Sequence, residues 1–318
     1  MFVDMPEPEL RTYRGTVATP PDFDEFWNDS IADARRHPVD IHLAEQETLL
    51  RSVRVQDMTF RGFDGNPVRA WLRTPANAAG LLPAIVEYVG YGGGRGHPEE
   101  SLLWASAGYA HIHMDNRGQG SIGSPGDTPD PQGSGPSAPG FTTRGIQSPE
   151  TSYYRRLVID AVRAIDAATD LDIVDADRVT ATGVSQGGYL ALAAASLSGQ
   201  ASAAFSFVPF FCDIPRAIRI TDTEPYAEIT RYLAVHRDRT AAALRTLSYL
   251  DGVNLARRGS VPMRFSAALM DATCPPSTVF AARNAYAGPA SISVWPYNGH
   301  EGGGIEDQRT VLRALRAG

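Results

Sequence analysis

Residues 178–197 read RVTATGVSQGGYLALAAASL. RVTATGV is rich in β-branched residues and has the length of a strand. It runs into Gly183-Val184-Ser185-Gln186-Gly187-Gly188, after which YLALAAASL has the alanine and leucine content of a helix. A Gly-x-Ser-x-Gly at a strand-to-helix junction is a sharp turn that lifts the serine hydroxyl above a sheet and aims the helix N-terminus at the reacting centre. With 30 glycines and 21 serines in 318 residues, chance alone would supply the pattern about 0.2 times, so its strand and helix context carries the weight.

Working outward, short strand-like runs alternate with helical ones. The strands are LPAIVEYVG, YAHIHMDN, ASAAFSFVPF, MRFSAALMD and ASISVWPYN; helices are expected over 99–107, 152–169, 186–198, 276–286 and 305–316. The alternation specifies an α/β fold, a mainly parallel twisted sheet with helices on both faces. Upstream, SVRVQDMTF and VRAWLRT flank GFDGNP, the signal of an antiparallel hairpin. Residues 20–36 read as a helix with Phe23, Phe26 and Trp27 on one side, part of an N-terminal extension over 1–50. Two stretches break the rhythm: a Gly/Pro/Ser-rich loop over 121–149, of the kind that is usually functional, and a helical insertion over 213–258, placed to cap the strand ends. A single domain spanning 1–318 accommodates both.

A serine nucleophile needs a base and a group to orient that base, supplied in this topology in the order Ser, Asp or Glu, His. His300, in WPYNGHEGGG, follows Ser185 near the end of an expected strand and is the candidate base. His236 lies in the insertion, His111 and His113 alternate in an earlier strand, and His37, His42 and His97 precede the sheet or sit in loops. Asp271, at the end of MRFSAALMD, is the candidate orienting acid; Asp251 and Asp213 are its rivals. The oxyanion should be met by the backbone N–H of Gln186 and by one from the loop Gly90-Tyr91-Gly92-Gly93-Gly94, with Tyr91 as second donor. Tyr91 and the strand end Val208-Pro209-Phe210-Phe211 are positioned to wall in a small acyl group. Gly118-Gln119-Gly120-Ser121-Ile122-Gly123 matches a dinucleotide fingerprint, but SPGDTPDP follows where a helix is required.

All 29 basic residues are arginine, which excludes Schiff-base and P-loop lysine chemistry. The net charge of −7 gives no general attraction to nucleic acid or anionic membranes. Cys212 and Cys274 are too few for a disulfide framework and form no Cys-x-x-Cys pair, so neither structural zinc nor redox chemistry is expected. The start, MFVDMPEPELRTYRG, lacks the basic and apolar regions of a signal peptide, and no run has membrane-spanning length. The expectation is a cytoplasmic protein.

The chain resembles the acetyl xylan esterase and cephalosporin C deacetylase family, the seventh carbohydrate esterase family, of the α/β-hydrolase fold. The resemblance rests on DFDEFW, GYGGGRG, Arg117-Gly118-Gln119, Thr143-Arg144-Gly145-Ile146, Tyr153-Tyr154-Arg155-Arg156, GVSQGG, PFFCDIPRAI, PYAEI, DATCPPSTVFAARN and His300-Glu301. It implies a serine esterase, with no cofactor or metal, that removes acetyl groups from small oxygen esters. Acetylated xylo-oligosaccharides and cephalosporin C-like molecules are the substrates it suggests. Ser185, Asp271 and His300 match the family's triad, Tyr91 and Gln186 its oxyanion positions. A hexamer with sites facing an internal chamber is implied as well. Val89 departs from the pattern, since many relatives carry histidine there. Arg117 is expected to fix loop carbonyls near the site, and Gln119, Pro209, Phe210 and Glu301 to form the pocket or support it. The alternatives are a hydrolase of another acyl group (carboxylesterase, lactonase, thioesterase or peptidase) and a non-catalytic binding protein on the same fold.

Overall fold

The computed structural model describes residues 2–133 and 139–316; residues 134–138 of the Gly/Pro/Ser-rich loop lie outside the described residues. The strands are β1 (His42–Glu45), β2 (Val53–Arg61), β3 (Pro67–Pro75), β4 (Leu82–Tyr88), β5 (Ala110–Met114), β6 (Val174–Val184), β7 (Ala203–Phe207), β8 (Met263–Ala268) and β9 (Ala290–Trp295). They form one sheet in the order β1-β2-β3-β5-β4-β6-β7-β8-β9. β1, β2, β3 and β5 pair antiparallel, and every pair from β5–β4 onward is parallel. The helices are α1 (Glu7–Leu10), α2 (Phe23–Arg35), α3 (Leu103–Ser106), α4 (Tyr153–Thr169), α5 (Gln186–Leu197), α6 (Ile214–Ile220), α7 (Tyr226–Val235), α8 (Thr240–Ser248), α9 (Gly252–Ala256), α10 (Pro276–Ala285) and α11 (Ile305–Arg316).

Helices cover both faces because the strands alternate their apolar side chains between two cores. Ala84, Val86 and Tyr88 of β4 join the larger core with α4 and α5, while Ile85 packs on the other face with Trp104 of α3 and Val311 of α11. α5 is apolar around its whole circumference, with every residue from Gln186 to Ala195 buried, as a helix wedged between sheet and outer helices must be. In the N-terminal extension, Trp27 of α2 donates its Nε1 hydrogen to the Tyr249 carbonyl at 2.9 Å, tying the extension to the insertion.

Two local expectations are corrected, and one strand is added. The helix expected over 99–107 shrinks to α3, because Ser101 takes a φ of +50°, which no helix interior accommodates. The strands expected to reach Asp271 and Asn298 stop at Ala268 and Trp295, so Asp271 and the His300 segment belong to the loops that follow. The added strand is the edge strand β1, whose residues are all exposed and so lack the alternation that signals a strand.

The strand order decides where a site can form. β4 connects forward to β5 on one side, while β6 lies on its other side, so the loops leaving the C-terminal ends of β4 and β6 diverge and open a crevice. Tyr88 of β4 pairs with Gly183 of β6, which sets the Gly90–Gly94 loop beside the turn that carries Ser185.

Candidate active site

Ser185 stands between β6 and α5 with φ +60° and ψ −120°. A non-glycine residue in such a conformation costs on the order of 1–3 kcal/mol and persists only when its surroundings hold it. Here the Ser185 N–H donates to the Phe207 carbonyl at 2.9 Å, and the Ser185 carbonyl accepts from the N–H groups of Tyr189 and Phe210 at 3.0 and 3.1 Å. The motif's glycines answer to close approach. A Cβ on Gly183 would lie 2.3 Å from the Gly187 backbone, and one on Gly187 would lie 2.1 Å from the Tyr88 carbonyl.

His300 sits in the turn between β9 and α11, with Nε2 2.9 Å from Ser185 Oγ and Nδ1 2.9 Å from Asp271 Oδ2. Asp271 is fully buried, and its other oxygen, Oδ1, accepts the N–H groups of Thr273 and Cys274 at 2.8 and 2.9 Å. An ionised carboxylate only accepts, so His300 Nδ1 carries the proton and Nε2 turns its lone pair to the serine hydroxyl. The rivals for the acid are engaged elsewhere. Asp251 accepts from the N–H groups of Asp213, Ile214 and Val253, capping α9, while Asp213 accepts from Thr16 and from the Tyr13 hydroxyl.

The Gly90–Gly94 loop is anchored from three sides. Asn116 Nδ2 donates to the carbonyls of Val89, Gly90 and Gly93, and Gln119 Oε1 accepts the Gly92 N–H at 2.7 Å. Gln186 Nε2 reaches the Val89 carbonyl at 3.3 Å, and Gln119 Nε2 reaches Gln186 Oε1 at 3.1 Å, so the loop and the serine turn are braced together. Gln186 is the first residue of α5, and its N–H is one of the donors that no intrahelical carbonyl can accept.

Beside these groups lies a cavity of about 660 Å³. Ser185, His300, Tyr91 and Thr273 line it, with Val89, Val184, Glu87 and His113 from the strand ends. Ile122 and Pro139 of the long loop and Glu224, Pro225 and Glu228 of the insertion complete the wall. Phe210 and Pro209, expected to form the pocket or support it, are buried and do not line it; the Phe210 ring packs against Tyr91 at 6.3 Å between centroids, in support. Arg117 is corrected too. Its fully buried guanidinium pairs with carboxylates rather than loop carbonyls, donating from Nη2 to Asp160 at 2.8 Å and lying 3.4 Å from Asp130. Glu301 is exposed and accepts from the Asn298 side chain and the Gly299 N–H, closing the turn that carries His300.

Sequence reasoning missed Glu228 and the wall residues Glu87, Glu224 and Thr273. An acid flanked by apolar Tyr226, Ala227 and Ile229 was the available signal for Glu228. Among the described residues, Asp271, Cys274 and His300 bring ligating atoms within 4.8 Å of one another. Two of the three already bond each other, and burial pushes the Cys274 thiol well above its ordinary range, so it keeps its proton.

The acetyl xylan esterase family model matches residues 1–316. An acetyl xylan esterase from Paenibacillus sp. R4 superposes with a TM-score of 0.91 at 36% identity, covering 98% of this chain and 99% of that one. Acetyl xylan esterase 1 from Thermoanaerobacterium sp. JW/SL YS485 gives 0.89 at 32% identity, with the same coverage. Acetyl esterase Axe7A of Xylanibacter ruminicola is 25% identical over 292 residues, and the match spans 88% of this chain but only 63% of that relative's length.

Proposed function

The chain belongs to the acetyl xylan esterase family, and from that membership we propose that it is a serine carboxylic ester hydrolase that removes acetyl groups from small acetylated substrates, xylo-oligosaccharides among them. The observation that carries the reading is the continuous hydrogen-bonded path from Ser185 through His300 to Asp271, opening on the cavity.

In the reaction so proposed, His300 Nε2 takes the Ser185 proton as Oγ attacks the acetyl carbonyl carbon, and Asp271 steadies the imidazolium. The N–H groups of Gln186 and Tyr91 receive the oxyanion, as fixed donors aimed before the charge develops. His300 returns the proton to the departing alkoxide, leaving an acetyl group on Ser185. Water, deprotonated by the same imidazole, repeats the attack and releases acetate. The acetyl group faces Tyr91, and the alcohol occupies the larger part of the cavity bounded by the long loop and the insertion.

The finer features are proposals on the family resemblance: cephalosporin C-like esters as further substrates, a closed homo-oligomer, a hexamer in the family's manner, and a cytoplasmic location. No helix among the described residues is long and apolar enough to cross a membrane. A hydrolysis panel of acetylated xylo-oligosaccharides and p-nitrophenyl esters, run with a fluorophosphonate probe, tests the reading. Acetate release that the probe abolishes is expected; a protein that neither hydrolyses acetate esters nor reacts with the probe would overturn it.

A further inference from the structure

We propose that Glu228 is a positioning residue for the deacetylation: its carboxylate grips the Tyr91 side chain and, with the backbone anchors of the loop, holds the Tyr91 backbone N–H in its direction. The inference rests on the reading of Ser185 as nucleophile and of that N–H as an oxyanion donor.

Glu228 lies on α7 of the insertion, only 6% exposed. Oε1 accepts the phenolic hydrogen of Tyr91, 137 residues away in the chain, and the Gly140 N–H at 2.8 Å. Oε2 accepts the Thr142 N–H at 3.1 Å and the Thr142 hydroxyl at 2.6 Å. The Tyr91 oxygen in turn accepts the N–H groups of Gly140 and Phe141, each at 3.2 Å. One carboxylate thus joins the insertion, the long loop and the loop after β4.

Burying a carboxylate is costly unless its oxygens are satisfied, and here four donors satisfy them. The consequence falls on Tyr91. Its neighbours Gly90, Gly92, Gly93 and Gly94 give the loop little stiffness of its own. Asn116 holds the Gly90 carbonyl, which shares a planar peptide with the Tyr91 N–H, and Gln119 holds the Gly92 N–H on the other side; the bond from the ring tip to Glu228 restrains the Tyr91 side chain that stands between these two anchors. Contacts with Phe141 and Phe210 let a ring slide in its own plane; the bond to Glu228 stops that motion. Burial, reinforced by the Glu228 hydrogen bond, raises the Tyr91 phenol well above its ordinary range, so it stays protonated and the grip persists at neutral pH. A donor that stabilises a transition state must be aimed before the charge develops. Glu228 adds to that aim, beside the backbone anchors, without touching the reacting atoms.

The test is steady-state hydrolysis of p-nitrophenyl acetate by Glu228→Gln, Tyr91→Phe and the double variant, with the inhibition constant for phenylboronic acid. That acid forms a tetrahedral adduct on a serine oxygen and places an oxygen where the oxyanion would sit. Each single variant should lose kcat by roughly 10- to 100-fold with KM held within about threefold, and the boronate should weaken by the same factor as kcat. The double variant should be no worse than the worse single one, because both break one connection. Unchanged kcat with only a lower melting temperature would overturn the proposal, as would a raised KM at constant kcat, which would mean that Glu228 contacts the alcohol. If Glu228→Gln does not fold, Tyr91→Phe, which keeps the ring against Phe141 and Phe210, decides alone. Failure of the underlying reading looks different: the unaltered enzyme would neither hydrolyse the ester nor take up the boronate.

Discussion

The hydroxyl of Ser185 and Nε2 of His300 stand 2.9 Å apart although 115 residues separate them in the chain. Two loops from different strands must both hold their shape for that contact to exist, and the chemistry proposed for it is lost with either partner. Ser185→Ala should therefore lower turnover of an acetate ester by roughly three orders of magnitude or more while leaving the thermal melt near that of the parent. Near-normal activity in this variant, measured after removal of any parent contamination, would count against Ser185.

Asp271 and Asp251 offer a controlled comparison, since both are fully buried carboxylates accepting backbone N–H groups. Only Asp271 also meets an imidazole. Asp271→Asn should cost on the order of 10³- to 10⁴-fold in kcat by presenting His300 with a partner that no longer selects the productive tautomer. Asp251→Asn should instead lower the denaturant midpoint and leave activity per folded molecule nearly intact. The reverse pattern in paired kinetic and unfolding measurements would mean that the wrong carboxylate had been chosen.

Gln186 contributes a backbone donor and a buried side chain that bridges Gln119, the Tyr154 hydroxyl and the Val89 carbonyl. Gln186→Ala keeps the N–H and breaks the bridge. Its kcat should fall far less than that of Ser185→Ala, with a stability loss of about 1–3 kcal/mol from the polar groups left unpaired. A kcat as low as that of Ser185→Ala would place the side chain itself in the chemistry.

Arg117 acts through its ion pair with Asp160. Replacing it with alanine leaves Asp160 buried and short of a cation, although the Phe63 N–H still reaches Asp160 Oδ1 at 2.8 Å. Arg117→Ala should destabilise by about 3–5 kcal/mol in urea unfolding. An unchanged midpoint would show that the pair contributes nothing.

The acid limb of stability has a definite sign at His111. Burial holds this fully enclosed imidazole below its ordinary pKa of 6.5, even though Glu87 Oε2 lies 2.9 Å away and pulls the other way. The unfolded chain thus binds the extra proton more readily. The contribution is present in full above pH 6.5 and is lost as pH falls below it. Unfolding free energies at pH 7.5 and 5.5 should converge more between parent and His111→Gln at the lower pH; a gap that widened on acidification would reverse the sign.

Acyl selectivity follows from how firmly Tyr91 is held, by Phe141 and Phe210 behind the ring and Glu228 at its tip. A packed wall resists displacement at about 1–3 kcal/mol, so kcat/KM should drop roughly 5- to 150-fold from p-nitrophenyl acetate to the butyrate. A rise with chain length would favour a thioesterase or lipase-like hydrolase.

What the sequence made legible is what local pattern encodes. The serine turn is a strand signal, a glycine constraint and a helix signal within twenty residues, and His300 and Asp271 follow from the order in which such a fold supplies its groups. Arg117 and Glu228 were not legible in the same way, because no order of elements dictates their partners: nothing in RGQ points to Asp160, and nothing in PYAEI points to Tyr91. Phe210 was expected to form the pocket or support it, and the structure sets it in support, against Tyr91. Sequence order says which strand end comes next, not which of its side chains faces the cavity.

Whether acetyl passes through Ser185 can be read directly by quenching p-nitrophenyl acetate hydrolysis with acid during the first turnovers and mapping the protein by mass spectrometry. Covalent catalysis at this serine predicts an acetyl group on the peptide that contains Ser185, absent in Ser185→Ala and lost when the unquenched enzyme is left in buffer without substrate. Acetate release at the full rate with the acetyl group on another residue would contradict it.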